Sequence, residues 1–229
     1  MFFAGRDLTV GNTVSATAVV VWIHGLGDTP DGWGQQMAKL APALPHVRFE
    51  LPLAPTQPVA CNGGMAMTSW MDLEAIPIDL RTPDTGRHQA ESLARVHALI
   101  DGLGVPPERV VVGGFSQGGA LALAVALTSP RALAGCAVFS GWPLKHQELG
   151  ARAAASAAVA GNTSFLVCHG GADPTVLPEC GAEARRLLGA AGLPEARLKY
   201  REYPGMGHSS CPAEERDLAA FLAEVLPPI

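Results

Sequence analysis

The chain of 229 residues has no run of about eighteen consecutive apolar residues, so a hydrophobic membrane-spanning helix is excluded. Its first residues lack the basic-then-apolar layout of a secretory signal. Positive charge is also short: 16 Lys and Arg stand against 21 Asp and Glu, giving a net charge of −5 with no basic stripe. That balance argues against nucleic acid and against an anionic membrane surface as the primary partner, and favours a neutral or zwitterionic substrate. Three Lys against 13 Arg carry no functional information. The five cysteines, Cys61, Cys136, Cys168, Cys180 and Cys211, are scattered, odd in number and without C-x-x-C or Cys/His ligand spacing. Neither a disulfide framework nor a zinc site is therefore expected, and the compartment is read as reducing. Together these absences predict a cytoplasmic protein with no stable membrane insertion, a monomer or weak homodimer.

What is present is an alternation of two patterns. Continuous apolar runs at 18–23, 110–112, 133–139 and 164–168 suit the buried strands of a parallel sheet. Between and after them, 32–44, 86–103, 116–127, 178–191 and 212–226 have helical length and spacing, with Pro178 and Pro212 placed as first-turn prolines. The Ala-rich 150–161 reads as a short helix or loop. Alternating strands and helices predict an α/β fold with a mostly parallel, doubly wound sheet, functional loops at the strand C-termini and no large cap domain. The length suits one domain, 1–229.

Gly114-Phe115-Ser116-Gln117-Gly118 follows the run Val110-Val111-Val112 and opens an Ala/Leu stretch from 120 to 127. A serine on such a strand-to-helix corner is the nucleophile elbow of an α/β-hydrolase, where glycines two residues either side avoid a collision across the turn. The partners follow in the order this fold uses, Ser, then Asp or Glu, then His. Asp173 comes just after the apolar run 164–168, in a loop ending Asp173-Pro174, and His208 lies in the loop after 198–203. Either alone reads as a turn residue or a surface histidine, but together, each beyond a strand after an elbow serine, they complete a catalytic triad. The oxyanion hole needs two aimed backbone N–H groups. Gln117 supplies one, and Leu26, in His24-Gly25-Leu26-Gly27-Asp28 after the strand-like run 18–23, is chosen for the other. His24 precedes the acidic partner in the chain, so it is read as orienting the loop.

The stretch 52–85 has no clear period but carries Met65, Met67, Trp70, Met71, Leu73, Ile76 and Ile78. Two readings stay open, a packed structural excursion and an acyl-binding wall. On the second, Trp70, Met71 and Leu73 join Trp142 as substrate-binding residues along an open groove.

These motifs together resemble the acyl-protein thioesterase/lysophospholipase/carboxylesterase family of small α/β-hydrolases. The likeness rests on His24-Gly25-Leu26-Gly27-Asp28, residues 113–120, Cys168-His169-Gly170 with Asp173-Pro174, and Gly207-His208-Ser209-Ser210-Cys211, and it runs from about His24 to the C-terminus. By that resemblance Ser116, Asp173 and His208 match the triad, and Leu26 and Gln117 the oxyanion donors. Some eukaryotic members carry an acylatable cysteine near the N-terminus, whereas Met1-Phe2-Phe3-Ala4-Gly5 offers none. The expectation is a serine hydrolase that cleaves a small acyl ester or an S-acylated protein through an acyl-enzyme on Ser116, with no metal and no cofactor. The alternatives are a general short-chain carboxylesterase and, from another class, a non-catalytic binding module on the same scaffold.

Overall fold

The computed structural model describes residues 6–145, 148, 152–153 and 156–229. Its centre is a seven-stranded sheet built from β1 (Leu8–Gly11), β2 (Ala18–Ile23), β3 (Val47–Leu51), β6 (Val110–Phe115), β7 (Gly135–Phe139), β8 (Ser164–Gly170) and β9 (Leu198–Tyr203). The spatial order is β1-β3-β2-β6-β7-β8-β9. Only the β1–β3 pair is antiparallel; the remaining pairs are parallel, so strands β2, β6, β8 and β9 end at the same edge. The hairpin of β4 (Thr56–Val59) and β5 (Met65–Thr68) stands apart from this sheet.

Helices cover both faces, which is why β2 is buried along its whole length and reads as a continuous apolar run. Val19, Val21 and Ile23 face the cluster formed with α2 (Gln89–Asp101), α3 (Gln117–Thr128) and α5 (Pro178–Ala190). Ala18, Val20 and Trp22 face α1 (Pro30–Leu40) and α6 (Pro212–Val225) on the other side. Helix α3 is buried from Gln117 to Leu127, and its lack of a polar stripe follows from lying against the centre of the sheet. The Ala-rich 150–161 falls partly outside the described residues; within it α4 spans Ala157–Ala160.

Three differences from the sequence reading have physical causes. The helix expected over 32–44 begins at Pro30, whose ring suits the first turn, and stops at Leu40. Strand β3 escapes a search for unbroken apolar runs because it alternates, with Val47, Phe49 and Leu51 inward and Arg48 and Glu50 forming an ion pair at 2.6 Å outside. The stretch 52–85 is not structureless: it holds the β4–β5 hairpin, and Ile78 pairs with Val176, its N–H donating to the Thr175 carbonyl and its own carbonyl accepting the Leu177 N–H. Among the described residues no helix is long and apolar enough to cross a membrane.

Glu214, in the first turn of α6, is fully buried, and burial pushes its carboxyl up to about 8. In the unfolded chain a glutamate ionises near pH 4.3. The native state therefore binds this proton more tightly, a stabilisation that is complete below about pH 4 and is lost as the pH rises towards 8. Glu214→Gln keeps the shape and removes the proton linkage. Thermal unfolding of variant and wild type should show the variant's relative Tm rising by about 5 °C or more between pH 5 and pH 8. A pH-independent offset would mean the buried acid is not held protonated.

Candidate active site

Ser116 is the residue between β6 and α3, and it adopts φ 56° and ψ −120°, a conformation that side chains rarely take. Glycine is required on both sides. A Cβ on Gly114 would lie 2.6 Å from the carbonyl of Gly118, and one on Gly118 would collide with the carbonyl oxygen of Ile23 in β2. The corner is held by the Ser116 N–H, which donates to the Phe139 carbonyl at 2.8 Å. Ser116 is left 9% exposed, at the edge where β2, β8 and β9 also end.

From that edge the loops after β8 and β9 bring two side chains to the serine. His208 Nε2 lies 2.9 Å from Ser116 Oγ, and its Nδ1 lies 2.7 Å from Asp173 Oδ2. The other carboxylate oxygen, Oδ1, accepts the backbone N–H groups of Thr175 and Val176 at 2.9 and 3.0 Å. Asp173 is 2% exposed, so its charge rests on these three donors rather than on water. A carboxylate that only accepts fixes the proton on His208 Nδ1 and leaves Nε2 free to accept from the serine hydroxyl. The Phe115 ring packs against the imidazole, centroids 4.7 Å apart at 40°.

The loop after β2 faces the same corner. His24 Nδ1 lies 2.8 Å from the carbonyl of Gly25, to which it can only donate, and its Nε2 accepts the Ala54 N–H at 3.1 Å. Burial holds the His24 imidazole below its ordinary range, in keeping with a neutral ring. Its ring nitrogens engage the backbone and not the serine. Among the described residues no hydrogen bond occupies the N–H of Leu26 or of Gln117. Two undirected backbone donors beside a nucleophile and its base are the requirements of acyl transfer through a tetrahedral oxyanion.

Beside the elbow lies a cavity of about 640 Å³ between the 71–84 segment, residues 142–145 with Glu148, and α5. Met71, Leu73, Ile78, Trp142 and Leu187 are among its apolar lining. Trp70 is not among the lining residues, and its assignment as a substrate-binding residue is corrected. It is fully buried and packed in the core cluster, and its indole N–H donates to the His24 carbonyl at 2.9 Å. Residues 69–72 are buried in succession, and Leu73, half-buried at the cavity, is where the segment returns towards the surface. Met71 is also fully buried and touches the cavity from within the core. Ser116 and His208 do not line the cavity; the link to the elbow is the Met71 carbonyl, which accepts from Gln117 Nε2 at 2.8 Å.

His169 was quoted in a motif but given no task by sequence reasoning. It is fully buried, with Nε2 donating to the Val176 carbonyl at 2.9 Å and lying 3.7 Å from Asp173 Oδ2. Burial pushes its imidazole down, so it braces the Asp173 loop as a neutral donor. Space for it comes from Gly181 in α5, where a Cβ would lie 2.6 Å from His169 Nδ1. The pairing of a strand-end histidine with a helical glycine twelve residues on leaves no local sequence signal.

A family model described as phospholipase/carboxylesterase matches residues 7–226, extending the likeness back to include β1. Acyl-protein thioesterase 1 of Mycosarcoma maydis is 41% identical over 229 residues, taking in 93% of each chain. Among solved structures, SOBER1 of Arabidopsis thaliana matches with a TM-score of 0.83 at 33% identity, covering 91% of this chain and 99% of its own. Acyl-protein thioesterase 2 of Zea mays matches with a TM-score of 0.79 at 29% identity, over 97% of this chain and 99% of its own.

Proposed function

Because this chain belongs to the phospholipase/carboxylesterase family of α/β-hydrolases, and is a serine hydrolase of esters and thioesters, we propose that Ser116, His208 and Asp173 carry its reaction. The observation that supports this most directly is the unbroken chain from Asp173 Oδ2 through His208 to Ser116 Oγ, at 2.7 and 2.9 Å. As Oγ attacks the acyl carbon, His208 Nε2 takes its proton, and Asp173 stabilises the resulting imidazolium. The Leu26 and Gln117 N–H groups receive the oxyanion. Collapse of the tetrahedral species breaks the bond to the leaving thiolate or alkoxide, which takes the proton from Nε2. Water then adds to the acyl-enzyme by the same route in reverse, releasing the carboxylic acid and restoring Ser116.

The substrate we propose is a medium or long acyl chain on a thiol or alcohol, with the chain passing Met71 into the cavity bounded by Leu73, Trp142 and Leu187. Each methylene removed from water contributes about 0.8 kcal/mol, so several of them should raise kcat/KM for octanoyl over acetyl esters by well over tenfold. Filling the cavity by Leu187→Trp should reduce that ratio to within about threefold while acetyl-ester turnover persists. The check is a p-nitrophenyl ester series from acetyl to palmitoyl, run beside a palmitoyl thioester. Equal losses on short and long esters would show that the cavity does not hold the acyl chain, and a profile falling beyond butyryl in wild type would favour a short-chain carboxylesterase.

A single working domain over 1–229 and a cytoplasmic site of action are part of the same proposal. One sheet with helices on both faces supports the first, and five unpaired cysteines support the second.

A further inference from the structure

Trp70 has no exposed surface, yet both of its N–H groups are spent on the loop that carries Leu26 and on Gln117 at the start of α3. The indole N–H donates to the carbonyl of His24, two residues before Leu26, at 2.9 Å. The backbone N–H donates to Gln117 Oε1 at 2.7 Å. Gln117 answers with its Nε2, which donates to the Met71 carbonyl at 2.8 Å and to Ser69 Oγ at 3.1 Å. Partners on both ends therefore decide which way this carboxamide faces. On the other side, Trp70 gives its own carbonyl to the Ser92 hydroxyl in α2, and its ring lies 5.4 Å from the His24 ring.

The constraint passes from His24 to Leu26 through one peptide plane. His24 Nδ1 donates to the Gly25 carbonyl. That carbonyl and the Leu26 N–H belong to the same trans peptide and point in opposite directions, so holding one aims the other. The direct pairing of the two strands does not carry this far: the β2–β6 ladder ends at the pair Ile23–Gly114, short of both Leu26 and Gln117. A buried network whose members are all paired is costly to disturb, since any shift strands a donor or acceptor away from water. An oxyanion hole depends on donors that need no reorganisation at the moment of reaction.

We propose that Trp70 is a positioning residue for the oxyanion hole, holding the Leu26 and Gln117 amides at a fixed separation together with the Gln117 carboxamide. The inference rests on those two amides being the oxyanion donors. The backbone bond to Gln117 belongs to the position; what tryptophan adds is an indole N–H that ties the same residue to the His24 carbonyl, so that one buried side chain links the Leu26 loop to the segment bonded to Gln117.

Trp70→Phe keeps an aromatic ring in the cluster and removes the indole N–H. Losing an oxyanion donor outright costs about 10² to 10³ in kcat, and a donor that is merely mis-aimed should cost less. The expected result is a kcat lowered about ten- to a hundredfold on acetyl and octanoyl esters alike, with KM within about twofold. Inhibition by an alkyl trifluoromethyl ketone, whose adduct with Ser116 Oγ places an oxyanion in the hole, should weaken by the same factor. A purely structural role would lower Tm without separating kcat from KM, and that outcome, or a kcat and ketone affinity within twofold of wild type, would overturn the proposal. Should Trp70→Phe fail to fold, Gln117→Met, which keeps the backbone N–H and deletes the carboxamide, must give the same kcat and ketone signature. Fluorophosphonate labelling of wild type separates the levels: no labelling at Ser116 would sink the serine-hydrolase assignment with it, whereas normal labelling beside unchanged Trp70→Phe kinetics would sink the positioning role alone.

Discussion

Ser116→Ala should lower kcat by about 10⁴ to 10⁶ and abolish fluorophosphonate labelling, with the fold intact. The size follows from what the elbow concentrates on one atom. On the proposed mechanism Oγ is the nucleophile, it lies 2.9 Å from its base, and the strained backbone that exposes it is braced by the Phe139 carbonyl and by glycines at 114 and 118. Alanine suits the same corner and removes only the hydroxyl, so circular dichroism and Tm should match wild type while turnover falls to what the oxyanion amides and substrate binding supply by themselves. His208→Ala should be nearly as damaging, because without the base the hydroxyl stays protonated. Retained labelling at any other serine would refute the assignment.

Asp173→Asn should cost about 10⁴ in kcat through the tautomer of His208. The geometry makes the direction of the asparagine predictable. The Oδ1 site accepts two backbone N–H groups, from Thr175 and Val176, so the asparagine must place its oxygen there. Its NH₂ is then forced to the Oδ2 site, 2.7 Å from His208 Nδ1. An amide donor facing Nδ1 moves the imidazole proton to Nε2, where it points at Ser116 Oγ and blocks proton transfer from it. Single-turnover kinetics on a p-nitrophenyl ester, with Tm as the control for folding, would measure this. A variant within tenfold of wild type would remove Asp173 from the mechanism.

The proposed triad is legible because each of its residues sits where a strand stops. Ser116 follows Val110–Phe115, Asp173 follows Ser164–Gly170 and His208 follows Leu198–Tyr203, and parallel strands deliver their C-terminal ends to one edge. Apolar runs, glycine spacing at the elbow and first-turn prolines are local properties, readable over a few residues. Trp70 is the opposite case. Its stretch has no clear period, so only its size and apolar character mark it, and nothing nearby distinguishes a substrate wall from core.

Only the tertiary structure decides that Trp70 points inward to His24, 46 residues earlier in the chain, while Leu73 reaches a cavity whose opposite side is α5. The same holds for His169, which fits because Gly181 leaves room. The sequence by itself determined the element types, the strand-end loops and the order of the three proposed triad residues, since those follow from backbone sterics and from the period of burial. Which buried donor meets which acceptor across the sheet edge depends on how the ladders end and how the helices settle against them. Those contacts join residues with no spacing rule between them, and on the inference drawn above they set the aim of the two proposed oxyanion amides.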